Sequence, residues 1–443
     1  MPATVSSKEA EQNYLATFAV RRRELGGSRA LKSIRDAAIA RFGLLGFPTT
    51  HLEEWKYTNL APFLRTGFEP PRSLRAVGVA ERLAAAPFAD LGCPRLVFLN
   101  GRYAAGLSTP PENDGAVKIG SLRAALLSGA VDDLLGREAA FENHALVALN
   151  TAFVEDGALV EIASGAVAAH PIHLVFVSAG GRPAVTYPRT LVVAGRESQA
   201  EIVETYIGLD DGVYFTNAVT EISAGEGSVL SHYKIQAENA AALHFGMLAV
   251  RQGGSSNFVS HNVALGAALA RNEIAVTLDG EGAESTLNGL YVTTGSQHVD
   301  NYTTLDHAKP HCMSRELYKG VLDGSSQGVF HGRIIVRLDA QKTDAVQRNK
   351  NLLLSDAAVI NTKPQLEIYA DDVKCTHGAT VGQVDQDAVF YLRSRGIGLE
   401  EARALLTFAF TADVLDNIGI AAIRTGLSDT LFQRLAAAGG DRV

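Results

Sequence analysis

The chain has 443 residues, room for about three average domains or for one extended architecture with flanking pieces. Its 47% hydrophobic and 20% charged residues match a globular protein and exclude a disordered or fibrous whole. The 40 basic and 48 acidic residues leave a net charge of -8 with no basic run longer than Arg21-Arg22-Arg23, which excludes gripping a nucleic-acid backbone as the main task.

The opening, Met1 to Gln12, is polar and acidic and lacks the apolar core of a secretory signal, and no charge-free apolar run reaches the roughly 20 residues needed to cross a bilayer. Three scattered cysteines, Cys93, Cys312 and Cys375, are too few for a disulfide framework and suit a reducing compartment. The expectation is a cytoplasmic protein with no membrane partner. Tyr14, Leu15 and Phe18 give one apolar helix face. A second helix is predicted from Ser28, with Leu31, Ile34, Ala38, Ile39 and Phe42 at helical spacing, stopped by Gly43 and Gly46-Phe47-Pro48. His51 to Thr58 holds the single tryptophan, Trp55, in a polar octamer, which reads as an aromatic anchor for a loop or short helix. Arg95 to Asn100 reads as a strand among proline- and glycine-punctuated pieces. Residues 1–145 are therefore read as one α-rich domain with a minor β element.

From about residue 155 the period becomes strand-like: Ala158–Ile162, Ile172–Val177, Thr190–Val193 and Glu201–Ile207 are short, β-branched runs divided by glycine, with nothing of helical length between them. Gly195, Gly225, Gly253 and Gly280 each open a turn between two such runs, at spacings of 30, 28 and 27 residues. That interval predicts the rungs of a wound sheet over residues 146–385, with an ordinary β-sandwich as the competing reading. The next comparable turn, Gly324-Ser325-Ser326, comes 44 residues after Gly280. Helical spacing returns in residues 386–443. Leu399, Leu405, Phe410 and Val414 lie on a broad apolar face with Glu400 and Glu401 at its positive end, and a further short helix is predicted after Ser428-Asp429. A face this wide either caps the end of the core or docks a partner.

No phosphate loop, dinucleotide fingerprint, HExxH or CxxC is present. Gly324 to Gly328 has the letters of a hydrolase nucleophile elbow, but the strand-like Val329 to Val336 follows where that motif requires a helix. Two local groups carry ligand chemistry. His307, His311 and Cys312 bring two imidazoles and a thiol within six residues. Cys375 and His377, two apart, share a side of an extended strand. Nitrogen and sulfur donors of this kind suit zinc, ferrous iron or an iron–sulfur unit, yet neither group completes a coordination sphere. A simple buried cysteine beside a hydrogen-bonded histidine explains either group equally well.

The segment Asn351 to Thr380, which contains Cys375-Thr376-His377, followed by Phe390 to Ile397, closely resembles the D-type subunits of the SUF iron–sulfur cluster assembly scaffold family. Glu53-Glu54-Trp55-Lys56-Tyr57-Thr58, Arg315 to Gly320 and Gly328 to Gly332 are similar to other stretches of that family. The resemblance implies a right-handed parallel β-helix between N- and C-terminal helical domains and a non-enzymatic scaffold role. It implies pairing with a homologous B subunit, with a homodimer as the possibility in isolation, and recruitment of an ABC-type ATPase C subunit by the C-terminal helices. It further implies that His377 contributes to a transient cluster at the subunit interface, with Cys375 a weaker candidate. No cofactor bound tightly to the isolated chain is expected, and a flavin enters only through the resemblance. The alternatives are a metal-dependent hydrolase or isomerase on the β core, which needs three ligands and a base converging in one chain, and a purely structural binding solenoid.

Overall fold

The computed structural model describes residues 7–71, 78–111, 115–180 and 183–440; the first six residues of the polar opening lie outside them. Two sheets of ten strands face each other, parallel except where Arg95–Leu99 meets Arg102–Tyr103 and Val117–Ser121 meets Gly157–Ile162, and beyond these the chain alternates between the sheets as it winds forward. The first sheet runs from Arg95–Leu99 through Ile172–Ser178 and Gln199–Gly208 to Met313–Leu322, Asp344–Leu353 and Lys374–Gly382. The second runs from Val117–Ser121 and Gly157–Ile162 to His298–His307, Gln327–Val336 and Val359–Ile368. The core is thus a β-solenoid flanked by helices, as the strand spacing predicts, and no pair of packed antiparallel sheets is formed. The strand read at Arg95 joins this solenoid directly, pairing in parallel with Ile172–Ser178.

Period-two burial explains the stacking. In Met313–Leu322, Ser314, Glu316 and Tyr318 are buried while Arg315 and Leu317 are less so, and each inward residue lies over its counterpart one coil away. The inward faces of both sheets meet in one continuous core that includes Phe98, Phe176, Tyr206, Leu287, Tyr318 and Phe330.

The glycine turns form a column at one edge. Gly225 N donates to Ala194 O and Gly253 N to Ala224 O, at 2.9 and 2.8 Å, and a Cβ on Gly253 would come 2.8 Å from the backbone of Glu226 below it. The fifth member of this column is not Gly324. It is Pro310-His311, whose backbone meets Gly282 and Gln341. Gly324 stacks on Gly295 at the opposite edge, through Ser325 N donating to Gly295 O at 2.8 Å. The 44-residue gap arose from joining two different corners.

The helices pack on the outer walls. Ser7–Arg21 and Arg29–Leu45 bury Tyr14, Phe18, Leu31 and Phe42, and Ser28 caps the second helix by accepting from Leu31 N at 2.9 Å. That helix continues through Gly43 and ends at Gly46, whose φ of 65° suits a residue without a side chain. At the other end, Gln386–Ser394, Leu399–Leu415 and Ala421–Gly440 follow the last strand. The last of these runs through Ser428-Asp429 rather than starting there; the Ser428 hydroxyl is satisfied by Arg424 O at 2.9 Å inside the helix.

Candidate functional site

The strands that carry the family-like segments are the final coils of the solenoid, and the last strand of all, Lys374–Gly382, holds Cys375 and His377. Its register places Cys375 beside Ala345 and His377 beside Gln347. Ala345 and Gln347 are both fully buried, so Cys375 and His377 occupy the inward face of the terminal rung. With no strand of the described residues beyond them, Cys375 is half-buried against the core and His377 is exposed. Two residues apart on one strand face, their Cα atoms are separated by roughly 6.6 Å, which allows both side chains to reach one small metal unit. Burial pushes the Cys375 thiol up, against backbone hydrogen bonding at Ala345, so it is protonated at neutral pH.

The second group does not converge. His307 is fully buried at a strand end, shares a hydrogen bond of 2.9 Å with Ser314 Oγ, and is pushed down to about 4 by burial. The Cys312 thiol turns into the core and donates to Gly280 O at 3.3 Å, while burial raises its pKa. His311 sits exposed at the corner with φ of 60°. Among the described residues no three His, Cys, Asp or Glu side chains are placed to hold a metal ion. Two other core histidines have carboxylate partners of their own: His244 lies 2.8 Å from Glu238, and His232 3.5 Å from Glu204.

Of the C-terminal docking candidates, Leu399 and Leu405 are exposed, and Phe410 is half-buried with Lys319 Nζ 4.8 Å above its ring. Val414 differs from these in being buried: it packs with Leu415, Ile418 and Leu427 against Tyr233, Val263 and Val292 on the outer wall of the first sheet. The broad apolar face is covered toward its C-terminal end, by the solenoid wall and by Ile423, Leu427 and Leu431 of the last helix.

Sequence reasoning missed a line of buried polar residues inside the same coils. Register stacks Leu287, Glu316, Gln347 and His377 in one inward column, and Gln347 Nε2 donates to Glu316 Oε2 at 2.6 Å. Burial pushes the Glu316 carboxyl up to about 7 despite that hydrogen bond. Across the core, Gly332 leaves the space the Gln347 amide fills; a Cβ there would overlap Nε2. Positions 316, 347 and 377 recur at the length of one coil, but that spacing alone does not tell an inward residue from an outward one.

Two family profiles cover the chain in succession: the SufBD protein N-terminal region matches residues 8–174, and the SUF system FeS cluster assembly SufBD core domain matches residues 176–410. An iron–sulfur cluster assembly SufBD family protein of Synechocystis sp. is 34% identical over 404 residues, 88% of each chain. The iron–sulfur cluster assembly protein SufD of Escherichia coli is 32% identical over 394 residues, 88% of this chain and 90% of its own. SufD of Bacillus subtilis is 26% identical over 441 residues, 96% of this chain and 98% of its own.

Proposed function

Because the chain belongs to the SufBD family of the SUF iron–sulfur cluster assembly system, we propose that it is a non-catalytic scaffold subunit that completes a cluster site by pairing end to end with a homologous B-type subunit. The open end of the solenoid carries this reading. The terminal strands Val359–Ile368 and Lys374–Gly382 are each paired on one side only, so their outer edges offer backbone N–H and C=O groups to another strand. Val359, Ile368, Tyr369 and Val381 are exposed around that edge. A partner built on the same coil continues both ladders, covers this apolar rim and encloses His377 and Cys375.

Iron and sulfide are the cargo. His377 supplies an imidazole nitrogen and Cys375 a second, weaker donor, with the remaining ligands coming from the partner, since this chain alone does not fill a coordination sphere. The rigid ladder holds these donors in place before the cargo arrives, lowering the reorganisation that assembly demands. The exposed Leu399 and Leu405 belong to the surface proposed for the ABC-type ATPase. A cytoplasmic location fits these partners, and no helix of the described residues is long and apolar enough to cross a membrane. A flavin finds little support among the described residues: two clefts of about 280 and 270 Å³ have no aromatic residue among their lining side chains, and the aromatic cavity beside Trp55 has only about 30 Å³.

The test is co-expression with the B-type and ATPase subunits, comparing the native chain with Val381→Arg. Val381 is 50% exposed at the end rung, so the variant should keep its circular dichroism and lose the B-type partner. Sedimentation of the isolated chain checks whether the same end forms a homodimer. A stoichiometric complex with Val381→Arg would remove the end rung from the interface.

A further inference from the structure

His377 has to present one ring nitrogen with its lone pair outward if it is to bind iron, and an imidazole free in solvent fixes neither its tautomer nor its ring angle. The residues directly beneath it in the ladder supply what is missing. Gln347 is its register partner one rung down, at the strand spacing of about 4.8 Å, and is fully buried. Its Nε2 is taken by Glu316 Oε2 at 2.6 Å, whereas its Oε1 is buried without a hydrogen-bond partner among the described residues. The second oxygen of Glu316 is buried too, with no hydrogen bond of ordinary geometry among the described residues and with the Thr303 hydroxyl as its polar neighbour. An acceptor of this kind, held one step below an imidazole on the same face, is an incomplete hydrogen bond.

We propose that Glu316 and Gln347 are positioning residues for His377: the Glu316 carboxylate holds the Gln347 amide by Nε2, so that Gln347 Oε1 accepts the ring N–H of His377 and the other ring nitrogen is left free for iron. The inference rests on the scaffold reading for its purpose, but the coupling itself is a property of this chain alone. Protonation of Glu316 reverses the pattern. A neutral carboxyl donates to Gln347 Oε1, the amide turns its NH₂ toward His377, and the favoured tautomer is no longer the one with N–H facing down. With burial holding Glu316 at about 7, the switch falls in the neutral range, the productive arrangement lying above it. Among the described residues no charged side chain competes from inside the core: Leu287 and the titratable Tyr318 flank Glu316 in its own sheet, and on the other sheet Gly332 and Thr303 face inward, the Thr303 hydroxyl within hydrogen-bonding reach of the carboxylate. Arg315 and Arg348 alternate to the outer face, where Arg315 pairs with Asp344. His377 shares its face with Cys375 alone among titratable groups of the end strand.

The full chain labelled with ¹⁵N-histidine provides the test, the His377 ring signals being assigned by their loss in His377→Gln. Between pH 6.5 and 8.5 the tautomer ratio of the neutral His377 ring should shift about fivefold, the change that one hydrogen bond sustains. In Glu316→Gln and in Gln347→Met it should stay within about twofold. A flat ratio in the native chain, or a native step in both variants, overturns the proposal. Glu316→Gln is isosteric, so it decides alone if Gln347→Met does not fold. Cluster loading of the assembled complex separates this from the function: normal loading by His377→Gln would remove the ligand role and leave a measured tautomer step standing. Lost loading in His377→Gln with a flat native ratio would remove only the positioning pair.

Discussion

The guanidinium of Arg271 lies 3.8 Å from the centroid of the Trp55 ring, and this contact joins the N-terminal signature to the outer wall of the second sheet. Arg271 is buried and pairs with Asp300 and, at 2.6 Å, with Glu273, while Thr58 donates to Asp300 Oδ2 at 2.5 Å. The Arg271 charge beside Glu273, helped by His144, overrides the cost of burial and holds that carboxyl at about 2. Trp55 thus closes a charged network that water would otherwise enter. Trp55→Ala should cost about 3–5 kcal/mol in denaturant unfolding, as large aromatic truncations do, and Trp55→Tyr distinctly less. Equal midpoints for native chain and Trp55→Ala would show that the clamp contributes nothing.

Gly280 sits where a Cβ would overlap the backbone of Gly253 and Gly254 one coil below, whereas Gly378 has nothing within 4 Å. Backbone cannot yield as a side-chain tip can, so Gly280→Ala should destabilise by about 1–3 kcal/mol while Gly378→Ala stays within about 0.5. Thermal unfolding of the two variants compares a stacked corner with an open end.

These glycines also mark how far the sequence could be read. Gly195, Gly225, Gly253 and Gly280 repeat because at these four positions the backbone of the neighbouring coil leaves no room for a Cβ, and the repeat is visible without coordinates. Gly324 misled because a two-sheet coil has two corners and a list of turns does not say which is which. Ser28 as a helix cap was legible from local chemistry, and Cys375-His377 from strand alternation. Glu316 was not, because a buried carboxyl in an alternating strand looks like an outward one until the register with Gln347 and His377 is known.

Leu405 and Val414 lie on the same helix yet face different surroundings, with relative exposures of 36% and 1%. Val414→Asp places a charge between the helix and the solenoid wall and should cost several kcal/mol, unfolding the C-terminal helices. Leu405→Asp should remain folded and lose the ATPase in a pull-down. A folded Leu405→Asp that still captures the ATPase moves the docking surface elsewhere, with exposed Phe432 next in order.

Burial holds His307 at about 4, His261 at about 4 and His173 at about 3, all below the ordinary value of 6.5. Between those values and 6.5 the unfolded chain binds more protons than the folded one, so stability rises with pH there. Their contribution is fully present above pH 6.5 and is lost as pH falls from 6.5 toward 4. For His307 alone the full span is on the order of 3 kcal/mol. His307→Gln keeps a partner for Ser314 and removes the titration, so its stability loss between pH 7 and pH 4.5 should be smaller than that of the native chain by about 2 kcal/mol. Parallel acid limbs in denaturant titrations would rule this out.

The last strand offers the most direct comparison, because His377 and Cys375 share a rung, a face and a ladder but not an environment. His377 is exposed, whereas Cys375 is half-buried with its thiol held protonated, so a metal bound there would also have to release a proton. An amide is a poor substitute for imidazole at iron, and a hydroxyl a poor substitute for thiolate, so both replacements remove a donor while leaving the exposed rung folded. In complexes assembled with the B-type and ATPase subunits, His377→Gln should lose most cluster formation, read by visible absorption and by iron and sulfide content. Cys375→Ser should lose less, and its remaining loading should depend less steeply on pH because the proton release is gone. If Cys375→Ser fails and His377→Gln loads fully, the order of the two donors is reversed and the thiol, despite its burial, is the principal ligand.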